Sequence, residues 1–246
     1  MHFGSSLSLP NWALKIMKLI RRNGLLLAII SMSLVPSLRA DVIYNNSSND
    51  LLARFNPGTT EVGDEILLGS TERYLTNFSF EYYGTNTLSP GNISFSGSVE
   101  ARIRFYKNDG TAFNGYPTPG TVIYDSLWFG GFGPTSRSTL NFTAGSDFAL
   151  NGLFLDVSSN MTWSVQFRGL GATDEVGVDL YSPPTVGGSY PDYWDNGSGW
   201  QLMTNSLPMD FAAKMEATVP EPSILALSSF GGLGILFLAR YIRGKR

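Results

Sequence analysis

The chain of 246 residues has no cysteine, and its only histidine is His2. Without cysteine there is neither a disulfide frame nor a thiolate nucleophile. With no histidine beyond position 2, no Ser-His-Asp or Cys-His catalytic set can form, nor a histidine-ligated zinc or iron site. The hydrolytic chemistry that survives is the carboxylate pair of glycoside hydrolases, which needs no histidine. Positive charge is also scarce through the middle of the chain. Between Asp41 and Pro222 eight basic residues face all 20 acidic ones, a net charge of −12. That surface repels phosphates and anionic head groups, so nucleic acid is not an expected partner. A helical stripe is missing as well between residues 41 and 217.

The other nine basic residues sit at the two ends. Lys15, Lys18, Arg21 and Arg22 precede an apolar run of 12 residues, Gly24 to Val35. Pro36 breaks the run, and Leu38-Arg39-Ala40 places a small residue at a cleavage point. The run is short for a bilayer span and has the flanks of a secretory signal peptide. Residues 1–40 are therefore expected to be a signal, with Asp41 as the mature N-terminus. A start at Met17 gives a more compact signal, Met-Lys-Leu-Ile-Arg-Arg and then the apolar run.

At the other end, Pro220-Glu221-Pro222 leads into an apolar stretch over residues 223–242. About 20 residues at 1.5 Å each cover the ~30 Å hydrocarbon core. Arg240, Arg243, Lys245 and Arg246 close the chain. Basic residues stay cytoplasmic, so the domain ahead of the span is expected outside the cell. The two prolines keep the peptide before the span extended.

This three-part tail resembles the PEP-CTERM sorting signal of Gram-negative bacteria. The matching residues are Pro220, Glu221 and Pro222, then the span, then the basic end. The resemblance covers residues 219–246. It implies recognition by an exosortase, a membrane transpeptidase-like enzyme. It further implies a membrane-anchored intermediate at the inner membrane, followed by delivery to the cell surface or the exopolysaccharide matrix. The segments Arg104–Gly110, Pro119–Ser126 and Pro184–Ser189 are similar to blocks that recur in uncharacterised PEP-CTERM ectodomains. Those blocks bring no catalytic residues with them.

The middle, residues 41–218, has a period of two. From Gly91 to Lys107, Ile93, Phe95, Val99, Ala101, Ile103 and Phe105 point one way and polar residues the other. Tyr74 to Tyr83, Met161 to Arg168 and Met209 to Ala217 alternate in the same manner. Further strands are expected at 42–44, 65–68, 121–124, 139–142, 153–157 and 176–180. About ten strands between Gly- and Pro-containing turns predict an all-β domain: a two-sheet antiparallel sandwich of jelly-roll type.

Two readings of function remain. In the first, the domain is a structural or glycan-contacting part of the extracellular polysaccharide layer. The aromatic segment Gly187 to Trp200 suits it, because Tyr190, Tyr193, Trp194 and Trp200 stand among Gly, Ser, Asp and Asn. Exposed rings stack on sugars while amides and carboxylates bond hydroxyls. The same rings could instead cap the core. Trp200, beside a strand at Gln201 to Met203, fits the core better; Trp194, with no strand period around it, fits exposure. Trp128 and Phe129 form a second aromatic candidate. In the alternative reading, the protein is an extracellular carbohydrate-active hydrolase that uses two carboxylates. No cofactor is required by either. Calcium is the ion that suits an acidic chain, with Asn108-Asp109-Gly110 and Asp192 to Asn196 as candidate loops that also read as ordinary turns.

Overall fold

A computed structural model describes residues 40–88, 94–146, 152–155 and 160–219. The expected signal peptide, the Pro220-Glu221-Pro222 motif, the span at 223–242 and the basic residues Arg240, Arg243, Lys245 and Arg246 lie outside them. Among the described residues every regular element is a strand, and no helix is long and apolar enough to cross a membrane.

Twelve strands run in order: β1 Asp41–Asn46, β2 Asp50–Phe55, β3 Val62–Leu67, β4 Tyr74–Asn86, β5 Glu100–Tyr106 and β6 Val122–Asp125. The rest are β7 Thr135–Thr143, β8 Asn160–Arg168, β9 Asp174–Tyr181, β10 Gly188–Asp195, β11 Gln201–Met203 and β12 Ala213–Thr218. They form two antiparallel sheets. One has the order β1-β12-β4-β9-β2, with β7 also paired to β4; the other is β11-β10-β3-β8-β5-β6. The all-β, two-sheet expectation holds.

β8 shows how sequence becomes core. Met161, Trp163, Val165 and Phe167 alternate along it and all are fully buried. On the opposite sheet, β4 presents Phe78 and Phe80. The Phe78 ring meets Phe105 at 5.0 Å and Trp163 at 5.4 Å, both edge to face. Trp163 also meets Phe211 at 5.8 Å. These rings join the two sheets, each such pair contributing about 0.5–1.5 kcal/mol beyond its buried area.

Long β4 shares one edge between two partners. Residues 74–80 pair with β12 and residues 82–86 with β9, while β7 lies along the other edge. The stretch Asp210 to Ala212 fills the fork, bonding β9 through Tyr181 N to Asp210 O (3.1 Å) and Ala212 N to Asp179 O (3.0 Å).

The structure corrects several strand expectations. The strand read from Gly91 starts only at Glu100. The amides of Ser96 and Gly97 bond the Asp174 carboxylate, both at 2.7 Å, instead of a neighbouring strand. A Cβ on Gly97 would also collide with the backbone of Gly169 to Gly171. In β4 the alternation breaks near Thr76, where the β12 register shifts, so Leu75 is buried in place of Tyr74 and Thr76. The 153–157 strand is represented by a single bridge, Tyr74 to Phe154, and residues 156–159 lie outside the description. β2 and β10 were not anticipated.

Candidate functional site

The aromatic segment is a strand rather than a loop, because Gly188–Asp195 is β10, paired to β3 and β11. That separates its four rings. Tyr190 is 45% exposed. Tyr193 is half-buried and packs on Phe55 at 4.9 Å. Trp194 is fully buried, its Nε1 donating to Glu65 Oε2 at 3.3 Å. The expectation of an exposed stacking ring at Trp194 is thereby overturned: β10 pairing sets the indole opposite Gly63, on the outer face of β3 beside Glu65, where it is covered and Glu65 accepts from its one donor. Trp200, expected to be core, is half-buried and stands at a groove.

This groove, about 420 Å³, opens between the β5–β6 loop (Gly110 to Pro119) and the β10–β11 turn (Ser198 to Gln201). Phe113 and Trp200 supply its rings, Thr111, Ser198 and Gln201 supply polar groups, and no charged side chain lines it. Tyr116, 58% exposed, stands on the same loop.

Glu61 organises the ground beneath the groove. Its side chain is 3% exposed and its carboxylate takes four donors. Tyr106 Oη (2.8 Å) and Ser164 Oγ (2.6 Å) donate to Oε1; Arg104 Nη2 (2.6 Å) and Asn196 Nδ2 (3.0 Å) donate to Oε2. Asn196 N also bonds Glu61 O at 3.0 Å. Glu61 thus anchors the β10–β11 turn through Asn196 and orients Tyr106, whose ring meets Trp200 edge to face at 5.4 Å. Burial, with the Glu61 charge second, pushes the Tyr106 phenol well above its ordinary range. Thr162 and Ser164, on the polar phase of β8, are fully buried in this layer. The face that alternation marks as wet is covered.

Trp128 forms a separate patch. The Arg168 guanidinium lies 4.2 Å from its ring centroid and Arg102 5.9 Å. Phe129 is half-buried against Phe142 at 5.2 Å. The Trp128 ring is thus already used by protein cations.

The candidate calcium loops spend their oxygens on turns. Asp109 accepts Thr121 N at 2.6 Å and Thr121 Oγ1 at 2.8 Å; Asn108 Oδ1 accepts Thr162 Oγ1 at 2.7 Å; Asp195 Oδ1 accepts Gly197 N at 2.8 Å. Among the described residues, no cluster of three or more His, Asp or Glu could hold a metal ion.

A second polar cluster lies inside the molecule. Asp64 is fully buried, with Ser189 Oγ donating to Oδ1 (2.6 Å) and Phe211 N to Oδ2 (2.9 Å). Asp210 is 3% exposed. Burial raises both carboxyls above their ordinary range. Sequence alone did not single out Glu61, Asp64 or Asp210. One signal existed: Asp64 falls in phase with the apolar Val62 and Ile66, which puts a carboxylate on the inward side of β3.

Set against protein-family models, curated proteins and solved structures, the chain matches none of them.

Proposed function

We propose that this is an exported PEP-CTERM-type protein, held first at the membrane by its tail and then passed to the cell surface or the polysaccharide matrix, where its β domain contacts glycan. The observation that carries the sorting half is the order of three features at one terminus: Pro220-Glu221-Pro222, an apolar stretch of spanning length, and a basic end. A signal-type N-terminus, with cleavage before Asp41, complements it. The glycan half is supported by the uncharged groove between Phe113 and Trp200, where a ring can stack and neutral polar groups can bond hydroxyls. The jelly-roll reading of the domain draws on its nested antiparallel pairs, β1/β12, β3/β10, β4/β9 and β5/β8, as rolling up one long ribbon produces.

The hydrolase reading needs two carboxyls about 5–10 Å apart across a cleft. Of three grooves among the described residues, one is lined by Glu100, one by Glu81 and the Trp200 groove by no carboxylate. No observation favours it.

Replacing Pro220, Glu221 and Pro222 with Ala tests the sorting reading. Membrane insertion, driven by the apolar stretch, should persist, while processing and surface transfer should stop. A triple variant processed and localised like wild type would leave a plain membrane anchor.

A further inference from the structure

The interior cluster around Asp64 carries an electrostatic deficit. Three buried oxygens there have no hydrogen-bond partner: Tyr44 Oη, Asn46 Oδ1 and Asp210 Oδ1. Their residues are 0–3% exposed, and interiors rarely leave such groups unmet. They also converge. Asn46 Nδ2 is pinned to the carbonyls of Tyr181 (2.8 Å) and Phe211 (3.2 Å), and the Phe211 amide bonds Asp64. Trp163 is the register partner of Asp64 on β8. Burial first, then the charges of Asp64 and Asp210, push the Tyr44 phenol above its ordinary range, so both carboxyls lie near it. No ion pair among the described residues reaches Asp64 or Asp210.

From this geometry we infer that Asp64, Asp210, Asn46 Oδ1, Ser189 Oγ and Tyr44 Oη form an internal binding site for a hard cation, calcium foremost. Calcium takes six to eight oxygen ligands, with carboxylate, amide and water oxygens mixed. Two carboxylates neutralise its charge, and the orphaned Asn46 and Asp210 oxygens become ligands. The Phe211 amide, already on Asp64, fixes that carboxylate as outer hydrogen bonds fix metal ligands. A trapped water could satisfy the orphans, and burial favours a proton on either carboxyl, so the competing state is a protonated, water-filled network. The sheet ladder is broken beside the cluster at the β10 bulge. Tyr190, Pro191 and Asp192 stand opposite the single residue Glu65, between the pairs Ser189–Ile66 and Tyr193–Asp64. Ser189 itself is half-buried at that break. The site is independent of the sorting and glycan readings.

The full-length chain, purified in detergent, should be melted in chelator and in calcium. Calcium at 100 times its Kd multiplies the folded-to-unfolded ratio by about 100, so the melting temperature should rise clearly. Asp210→Asn should remove that rise. Terbium alone, excited through tryptophan, should emit from the wild-type protein because Trp163 borders the site. Calcium should quench that emission by competition. Coincident wild-type melts in chelator and calcium, with no terbium emission, would overturn the site in favour of a water-filled or protonated network. An equal calcium rise in Asp210→Asn and wild type would place the ion elsewhere and overturn it equally. If Asp210→Asn fails to fold, the wild-type chelator and terbium measurements still decide.

Discussion

Tyr106 and Trp200 meet edge to face, ring centroids 5.4 Å apart at 78°. The contact matters because the two residues reach it from different sides. Tyr106 ends β5 and is held from below by Glu61, while Trp200 hangs from the β10–β11 turn, which the same Glu61 anchors through Asn196. One carboxylate thus supports the Trp200 side of the groove twice, through the turn that carries Trp200 and through the ring beneath it.

Trp194 and Trp200 should therefore respond differently to truncation. Trp194→Ala removes a fully buried indole and leaves Glu65 short of a donor, at a cost of about 3–5 kcal/mol. In a domain of this size that is a fall in melting temperature on the order of 10 °C. Trp200→Ala removes a half-buried ring and should cost less stability. Its effect should appear in glycan affinity, weakened by about 1–3 kcal/mol on the scale of aromatic stacking. Melting curves and a glycan array on both variants check this. Equal melting temperatures for the two variants would count against the assignment.

Glu61→Ala should be among the more damaging changes. It leaves Arg104, whose side chain is 18% exposed, without its carboxylate and strands the donors of Tyr106, Ser164 and Asn196. Removing one partner of a buried pair costs about 3–5 kcal/mol. Glu61→Gln keeps the shape and part of the acceptor capacity, so it should cost less. Urea denaturation ranks the two. A further loss of glycan binding in Glu61→Gln at a temperature where it remains folded would show Glu61 acting through Trp200.

Stability should fall in acid partly through Asp125. The bonded Arg102 guanidinium holds its carboxyl below the usual carboxylate range, against a smaller opposing effect of burial. A depressed folded pKa gives stability that is present above the unfolded value of about 3.9 and lost as pH falls through the folded one. The stability gap between wild type and Asp125→Asn should hold from neutral pH down to about 4 and close below it. Denaturation at a series of pH values measures that gap. A gap unchanged at acid pH would remove Asp125 from the account.

The inner layer was largely legible in the sequence. Strands such as β8 show period two because one phase must fill the space between sheets, and Met161, Trp163, Val165 and Phe167 do so. β10 was illegible for a physical reason. Its pairing is interrupted by the bulge at Tyr190 to Asp192, and Pro191 sits inside it, so no alternation survives to be read. β2 is broken similarly, with Leu52 at a positive φ of 54° and a register shift between Asp50 and Ala53. The wall of the groove depends on Glu61, Tyr106 and Asn196, which lie far apart in sequence. Alternation reports which side of a strand a residue takes, and it is silent on whether loops later cover that side. Thr162 and Ser164 were read as wet for that reason.

The position of β12 has a mechanical consequence. It is the last strand before Pro220-Glu221-Pro222, and it lies between β1 and β4, bonded to both. A pull on the chain beyond Thr218, directed along the strand, shears two ladders together and cannot peel one bond at a time. The register shift at Glu216/Ala217 further locks β12 against sliding along β4. A domain tethered by this end would carry load through a strand bonded along both edges, which resists unravelling as an edge strand cannot.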